Sequence, residues 1–125
     1  MTIQAAIDRV DSLKPNMFPI EQKVAWLSDL DGKVWLEIVQ EHEWMPDGIE
    51  YHGYDQDTNP GTVLLVPDAY ADVYEHYLKA MMDAANRETG EYTKDMMMFN
   101  ASWQTLNDYW NRKFMPKQVV HQFKL

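Results

Sequence analysis

Apolar residues recur at helical spacing through most of the chain, and the places where that spacing fails divide it into elements. Ile3, Ile7, Val10 and Leu13 fall on one face of a short first helix that Thr2 can cap. Pro15 stops it, because the residue before a proline is pushed out of the α region. Lys14-Pro15-Asn16-Met17-Phe18-Pro19 is then a connector held between two prolines. A second stripe runs Ile20, Val24, Leu27, Leu30 (or Asp31 around the turn), Val34 and Ile38, with Trp26 and Trp35 on its flanks. It predicts one helix over 20–43. Gly32 lies inside that helix at a cost of about 1 kcal/mol relative to alanine. Asp31-Gly32 is therefore either a break or a point of close packing.

From Glu43 to Val66 the helical pattern fails. Pro46, Gly48, Gly53, Asn59-Pro60 and Gly61 punctuate the stretch, and Asp55-Gln56-Asp57-Thr58-Asn59 is turn chemistry. Thr62 to Val66 reads as either a short strand or an extended apolar segment lying on the core. A loop of about 20 residues is uncommon inside a compact domain and is often functional.

Pro67 opens a third helix at its first turn, with Asp68 set against the positive helix end. Tyr70, Val73, Tyr74, Tyr77, Leu78, Met81 and Ala85 follow at spacings of three and four, and the tyrosines are expected to line the core with their hydroxyls at its edge. Asn86 to Gly90 closes that helix. A fourth carries Tyr92, Met96, Phe99, Trp103, Leu106 and Trp110 as the seam of a packed pair and ends at Pro116. The short connection predicts an antiparallel hairpin of helices three and four. The expected fold is all-α: one helical domain over 1–116 with a long loop at 44–66, and a tail over 117–125.

Composition narrows what such a domain does. The chain of 125 residues carries 20 acidic and 11 basic side chains, a formal net charge of −9, and is 13% aromatic. That aromatic content is too high for a disordered acidic tail. The negative charge disfavours a general nucleic-acid binder, which needs a basic face. Having no cysteine excludes a disulfide scaffold, thiolate zinc sites and a cysteine nucleophile. No segment approaches the roughly 20 apolar residues of a membrane span. Met1 to Ala5 lacks a signal-peptide start, so synthesis and retention in the cytoplasm, away from membranes, are expected.

The charge is unevenly spread. Residues 1–60 hold 12 acids and 4 bases, net −8, whereas 61–125 hold 8 acids and 7 bases, net −1. Glu37, Glu41, Glu43, Asp47, Glu50, Asp55 and Asp57 form an acidic run without lysine or arginine. Arg112, Lys113, Lys117 and Lys124 make the last 15 residues basic. Such a pattern suits head-to-tail contacts between copies, against the plainer reading of a solvated loop and a frayed end. Met96-Met97-Met98 adds an adaptable apolar patch, because one helix seam cannot hide a consecutive triplet; core filling is the competing reading. The candidate interaction residues are Glu43, Asp47, Glu50, Asp55, Asp57, Met97, Met98, Arg112, Lys113 and Lys117.

Catalytic and metal chemistry find little support. Glu41-His42-Glu43 with Glu50 and His52 offers imidazole and carboxylate, but no HExxH pair sets two ligands on one face. A polar helix end running into a loop explains it better. Asp55, Asp57 and Asn59 alternate like the start of a calcium loop, yet Pro60 and Val66 stand where its glycine and glutamate belong. His76, between Glu75 and Tyr77, reads as a helix surface or boundary residue. There is no GxSxG, phosphate-binding glycine loop or dinucleotide fingerprint. The expectation is a protein without enzymatic activity, metal or cofactor.

The residues also carry a family likeness. Ala6-Ile7-Asp8-Arg9-Val10-Asp11-Ser12-Leu13-Lys14-Pro15-Asn16, Lys23 to Gly32 and Gly53-Tyr54-Asp55 resemble a family of short phage and prophage proteins. The likeness is strongest in Leu64-Leu65-Val66-Pro67, Tyr70, Tyr74, Tyr77-Leu78 and Ala84-Ala85-Asn86. It continues through Tyr92, Met98-Phe99-Asn100, Tyr109-Trp110-Asn111-Arg112 and Met115-Pro116. That family is similar to the head–tail connector, or head-completion, proteins of tailed phages. The resemblance implies a small helical adaptor that assembles as a ring beneath the portal, extends the DNA channel and docks the next adaptor or the tail. It further implies a virion location after assembly in the host bacterial cytoplasm, with only non-specific proximity to packaged DNA.

A ring is a closed heterologous assembly, so each subunit needs two unlike complementary faces. The acidic stretch and basic terminus can meet that need; alternatively the acidic stretch faces the channel and repels DNA from the wall. The reading from another class is a small acidic inhibitor that mimics DNA and blocks a host nucleic-acid enzyme. Against it, a mimic should spread carboxylates over much of its surface, and residues 61–125 are near neutral.

Overall fold

The computed structural model describes residues 1–40 and 51–114. Four α-helices lie among them, with no sheet: α1 (Ile3–Leu13), α2 (Ile20–Val34), α3 (Asp72–Ala85) and α4 (Thr89–Lys113). The all-α expectation holds. None of these helices is long and apolar enough to cross a membrane.

Thr2 caps α1 as expected, its Oγ1 accepting from the Ala5 N–H at 3.1 Å. The helix buries Ile3, Ala6, Ile7 and Val10, but Leu13 is 54% exposed. Asn16 orders the connector behind it, donating to Asp11 Oδ1 and Lys14 O and accepting from the Phe18 N–H. Asp11 also takes the ammonium of buried Lys23 at 2.7 Å, which ties α1 to α2. Ile20, assigned to the buried stripe of α2, is 47% exposed because it opens the helix beside this connector. The rest of the stripe is buried as expected, and Asp31 is buried with it.

α2 does not run on as plain α-helix. Trp35–Val39 forms a wider π-helical turn, in which the Gln40 N–H reaches back to Trp35 O at 2.9 Å. The extra residue brings both Ile38 and Val39 into the core. The predicted end over 41–43 lies outside the described residues. Gly32 makes no break, and a β-carbon there would meet only Tyr51 Cε1 at an ordinary 3.8 Å.

Of the expected segment Thr62 to Val66, no part joins a sheet; it follows the turn at Pro60-Gly61 and lies against the start of α1. Thr62 O and Pro60 O accept from the Ile3 and Gln4 N–H groups at 3.0 Å, satisfying two orphan donors of the α1 N-terminus. One isolated antiparallel bridge, Thr2 to Val63, accompanies them, and Leu64 and Val66 are buried.

Pro67 leads into a 3₁₀ turn, Asp68–Tyr70, so α3 proper starts later than expected, at Asp72. α3 lies between the α1–α2 pair and α4, and is therefore buried on two faces. That is why Ala80, Met82 and Asp83 join Val73, Tyr74, Tyr77 and Leu78 in the interior, while Ala85, placed on the seam, is exposed. The helix ends in a Schellman motif: Glu88 N–H to Asp83 O, Arg87 N–H to Ala84 O, and Arg87 at φ 59°. α4 then starts at Thr89, leaving a tighter connection than predicted, and runs back along α3 as an antiparallel hairpin. It ends at Lys113, before Pro116, which lies outside the described residues, as does the tail 117–125.

The seam of α4 is rotated from the apolar pattern. Phe99, Leu106 and Trp110 are buried, but so are Asp95 and Ser102, while Met96 and Trp103 are only half-buried. Ser102 donates to Asp72 Oδ2 at 2.9 Å, and Asp95 faces Asp83 across the hairpin. Polar residues with partners on α3 occupy seam positions that hydrophobicity alone gives to the aromatics.

Candidate functional site

The acidic turn owes its position to one buried carboxylate. Asp31 is fully buried on α2 and accepts at both oxygens. Tyr54 O–H (2.6 Å) and the Leu65 N–H (3.1 Å) reach Oδ2, and Tyr74 O–H (2.6 Å) reaches Oδ1. The Tyr74 hydroxyl also accepts from the Val66 N–H at 2.9 Å. This tyrosine thus carries its hydroxyl inside the core, not at the edge. Burial raises the Asp31 pKa, and the bonds from Tyr54, Tyr74 and Leu65 work against that rise. Burial next to this carboxyl pushes both phenol groups far up, so they stay donors.

Ser28 makes the second anchor. Its carbonyl accepts from Tyr51 O–H at 2.5 Å and its Oγ from the Tyr54 N–H at 3.0 Å. Gly53 sits against it at φ 87°, and a β-carbon there would come within 3.2 Å of Ser28 Oγ. Neither the left-handed backbone nor the hydroxyl can relax freely, since the Oγ is already held by Tyr54. Gly53→Ala is expected to cost about 2 kcal/mol in chemical denaturation.

Beyond this anchor the turn closes on itself. Asp55 Oδ1 accepts from the Asp57 N–H at 2.8 Å and from Thr58 Oγ1 at 3.3 Å, while Asn59 Oδ1 accepts from the Gly61 N–H. These carboxylate and amide oxygens serve turn geometry. Among the described residues no group of three metal-ligating side chains converges. Of the histidine–carboxylate set, Glu41, His42, Glu43 and Glu50 lie outside the described residues, and His52 is exposed. His76 is mostly covered, 3.9 Å from Asp72 and 4.0 Å from Glu75, as a helix boundary residue.

The side chains of Asp55 and Asp57 are exposed, and with Glu21, Ala25, Tyr54 and Gln56 they line a shallow acidic groove of about 280 Å³. Of the other candidate interaction residues, Glu43, Asp47, Glu50 and Lys117 lie outside the described residues. Met97 (68%) and Met98 (49%) are exposed on α4. Arg112 and Lys113 are exposed in its last turn, where basic charge complements the carbonyl end of the helix. The Lys113 ammonium lies 5.6 Å from the Tyr109 ring centre and 5.8 Å from that of Phe114. The acidic turn is thus fixed to α2, whereas the basic and methionine positions belong to α4.

Two apolar features escaped the sequence pattern. Leu13, Met17 (98% exposed) and Ile20 gather around the α1–α2 connector, where periodicity had assigned Leu13 and Ile20 to buried stripes. Leu36, Glu37 and Ile38 face Trp103 and Asn107 across a groove of about 460 Å³. The Phe99–Trp103 ring contact at 5.9 Å supports the α4 wall of that groove. The π-helical turn that presents Leu36 leaves no mark in the periodicity. No protein-family model, curated protein or solved structure matches the chain.

Proposed function

We propose that this chain is a non-enzymatic structural protein of a phage or prophage virion, a head–tail connector that forms a ring below the portal. There it extends the DNA channel and docks the neighbouring adaptor or the tail. The observation that carries this reading is the pair of unlike charged surfaces on one small helical body. An acidic turn is rigidly anchored to α2, and a basic end, Arg112 and Lys113, closes α4. A heterologous ring needs two such complementary patches on each subunit. The exposed methionines of α4 add a deformable apolar surface suited to a second partner. The resemblance to phage connector proteins supplies the biological setting.

Asp57 is the position at which to test the subunit contact. Asp55 caps its own turn, so reversing its charge would disturb the loop, whereas the Asp57 side chain has no such duty. Asp57→Lys should weaken self-association on the portal by about tenfold or more through like-charge contact with the basic end. The folding stability should stay within about 0.5 kcal/mol of the parent. Combining Asp57→Lys with Lys113→Glu should restore the ring, read by native mass spectrometry of the portal complex. Assembly untouched by Asp57→Lys would remove the acidic turn from the subunit contact.

A further inference from the structure

Two carboxylates are enclosed where the α3–α4 hairpin turns. Asp83, in the last turn of α3, is fully buried, and Asp95, in the second turn of α4, is 6% exposed. Asp95 faces Asp83 across the hairpin, close enough for the Asp83 carboxyl to act on it. Asp83 Oδ1 takes the ammonium of Lys14, the residue that caps the end of α1. Its other oxygen, Oδ2, meets no N–H or hydroxyl donor among the described residues. Two ionised carboxylates cannot bond to one another, since both are acceptors only. A single proton on Asp95 makes it a donor toward the Asp83 carboxylate.

We propose that Asp83 and Asp95 share one proton and form a latch that holds the turn end of the α3–α4 hairpin closed against the Lys14 end of α1. Loss of that proton leaves two buried negative charges facing each other with one close ammonium, and the first turns of α4 are pushed away from α3.

The groups around the pair set the working range. From α1 comes Lys14, also 3.5 Å from Glu88 of the connection; burial opposes its charge, but Asp83 and Glu88 hold its pKa above the ordinary value. From α3 comes Lys79, shared with Glu75 at 3.1 Å. From α4 comes Lys94, largely exposed and 3.2 Å from Glu91. Arg87, Glu88, Thr89 and Tyr92 line a cavity of about 100 Å³ beside Asp83. Burial and the Asp83 carboxyl push Asp95 up to about 6 against the pull of Lys79 and Lys94. The folded chain therefore holds this proton more tightly than the unfolded chain. The resulting stability is complete below the ordinary aspartate value and is lost as pH rises through about 6.

Asp95→Asn tests the latch, because its amide offers the Asp83 carboxylate an N–H donor at every pH. At about pH 7.5 its melting temperature should exceed that of the parent by about 5 °C, and at about pH 4.5 the two should coincide. Amide exchange in the first turns of α4, corrected for intrinsic rates, should speed up about tenfold in the parent between those pH values and stay level in the variant. Comparing the two proteins cancels other titrations, such as that of Asp31. In the parent, carbon-detected NMR of the Asp95 carboxyl should give a midpoint near 6. That titration needs no variant, so it decides the matter even if Asp95→Asn folds poorly. An ordinary aspartate midpoint for Asp95 in the parent would overturn the latch.

Discussion

Replacing Asp31 with alanine is expected to lower the unfolding free energy by about 3–5 kcal/mol. The carboxylate is the common acceptor for Tyr54 O–H, Tyr74 O–H and the Leu65 N–H, contributed by the loop and by α3. Without it, Tyr74 O–H and the Leu65 N–H lose the acceptor they have, and each buried donor left unsatisfied costs about 1–3 kcal/mol. Tyr54 is half-buried and can turn toward water, so its loss is the smallest. A domain of this size has a total stability of about 5–15 kcal/mol, which makes the change large. Urea denaturation measures it. Tyr74→Phe should cost about 1–3 kcal/mol, and the double variant should cost less than the sum, because both remove the same bond. A loss below about 1 kcal/mol for Asp31→Ala would mean that the loop is held by its apolar contacts instead.

Leu106→Ala should cost about 2–5 kcal/mol, while Met97→Ala should change stability by less than about 0.5 kcal/mol. Leu106 has no exposed surface and sits in the α3–α4 seam; Met97 lies on the open side of the same helix at 68% exposure. The contrast reads which face of α4 is packed against α3. A methionine core would reverse it, giving the larger loss at Met97. The same pair separates folding from assembly, because Met97→Ala should weaken partner binding without unfolding the chain.

The pattern of apolar residues made the helices legible because each buries a continuous face. Val24, Leu27, Leu30 and Val34 of α2, Ile38 of the π-helical turn, and Phe99, Leu106 and Trp110 of α4 are where periodicity puts them. It failed where burial is decided by a partner rather than by the side chain. Asp31 and Asp83 are polar residues at interior positions, held there by Tyr54 and Tyr74 and by Lys14, all distant in sequence. Leu13 and Ile20 match their stripes yet flank a connector that exposes them. Of the surface candidates, the exposure of Asp55, Asp57, Met97, Met98, Arg112 and Lys113 was legible from charge and from the triplet of methionines. The anchoring of the acidic turn was not, since nothing in the run itself names Ser28 and Asp31 as its partners.

Quantitative mass spectrometry of purified phage particles from an induced source strain tests the adaptor role most directly. A connector subunit would be found in the particles at roughly the copy number of the portal, as a ring stacked on the portal requires. Absence from particles, with the protein abundant in the lysate, would contradict a structural role. An acidic inhibitor of a nucleic-acid enzyme would then be the function to pursue, by competition with DNA.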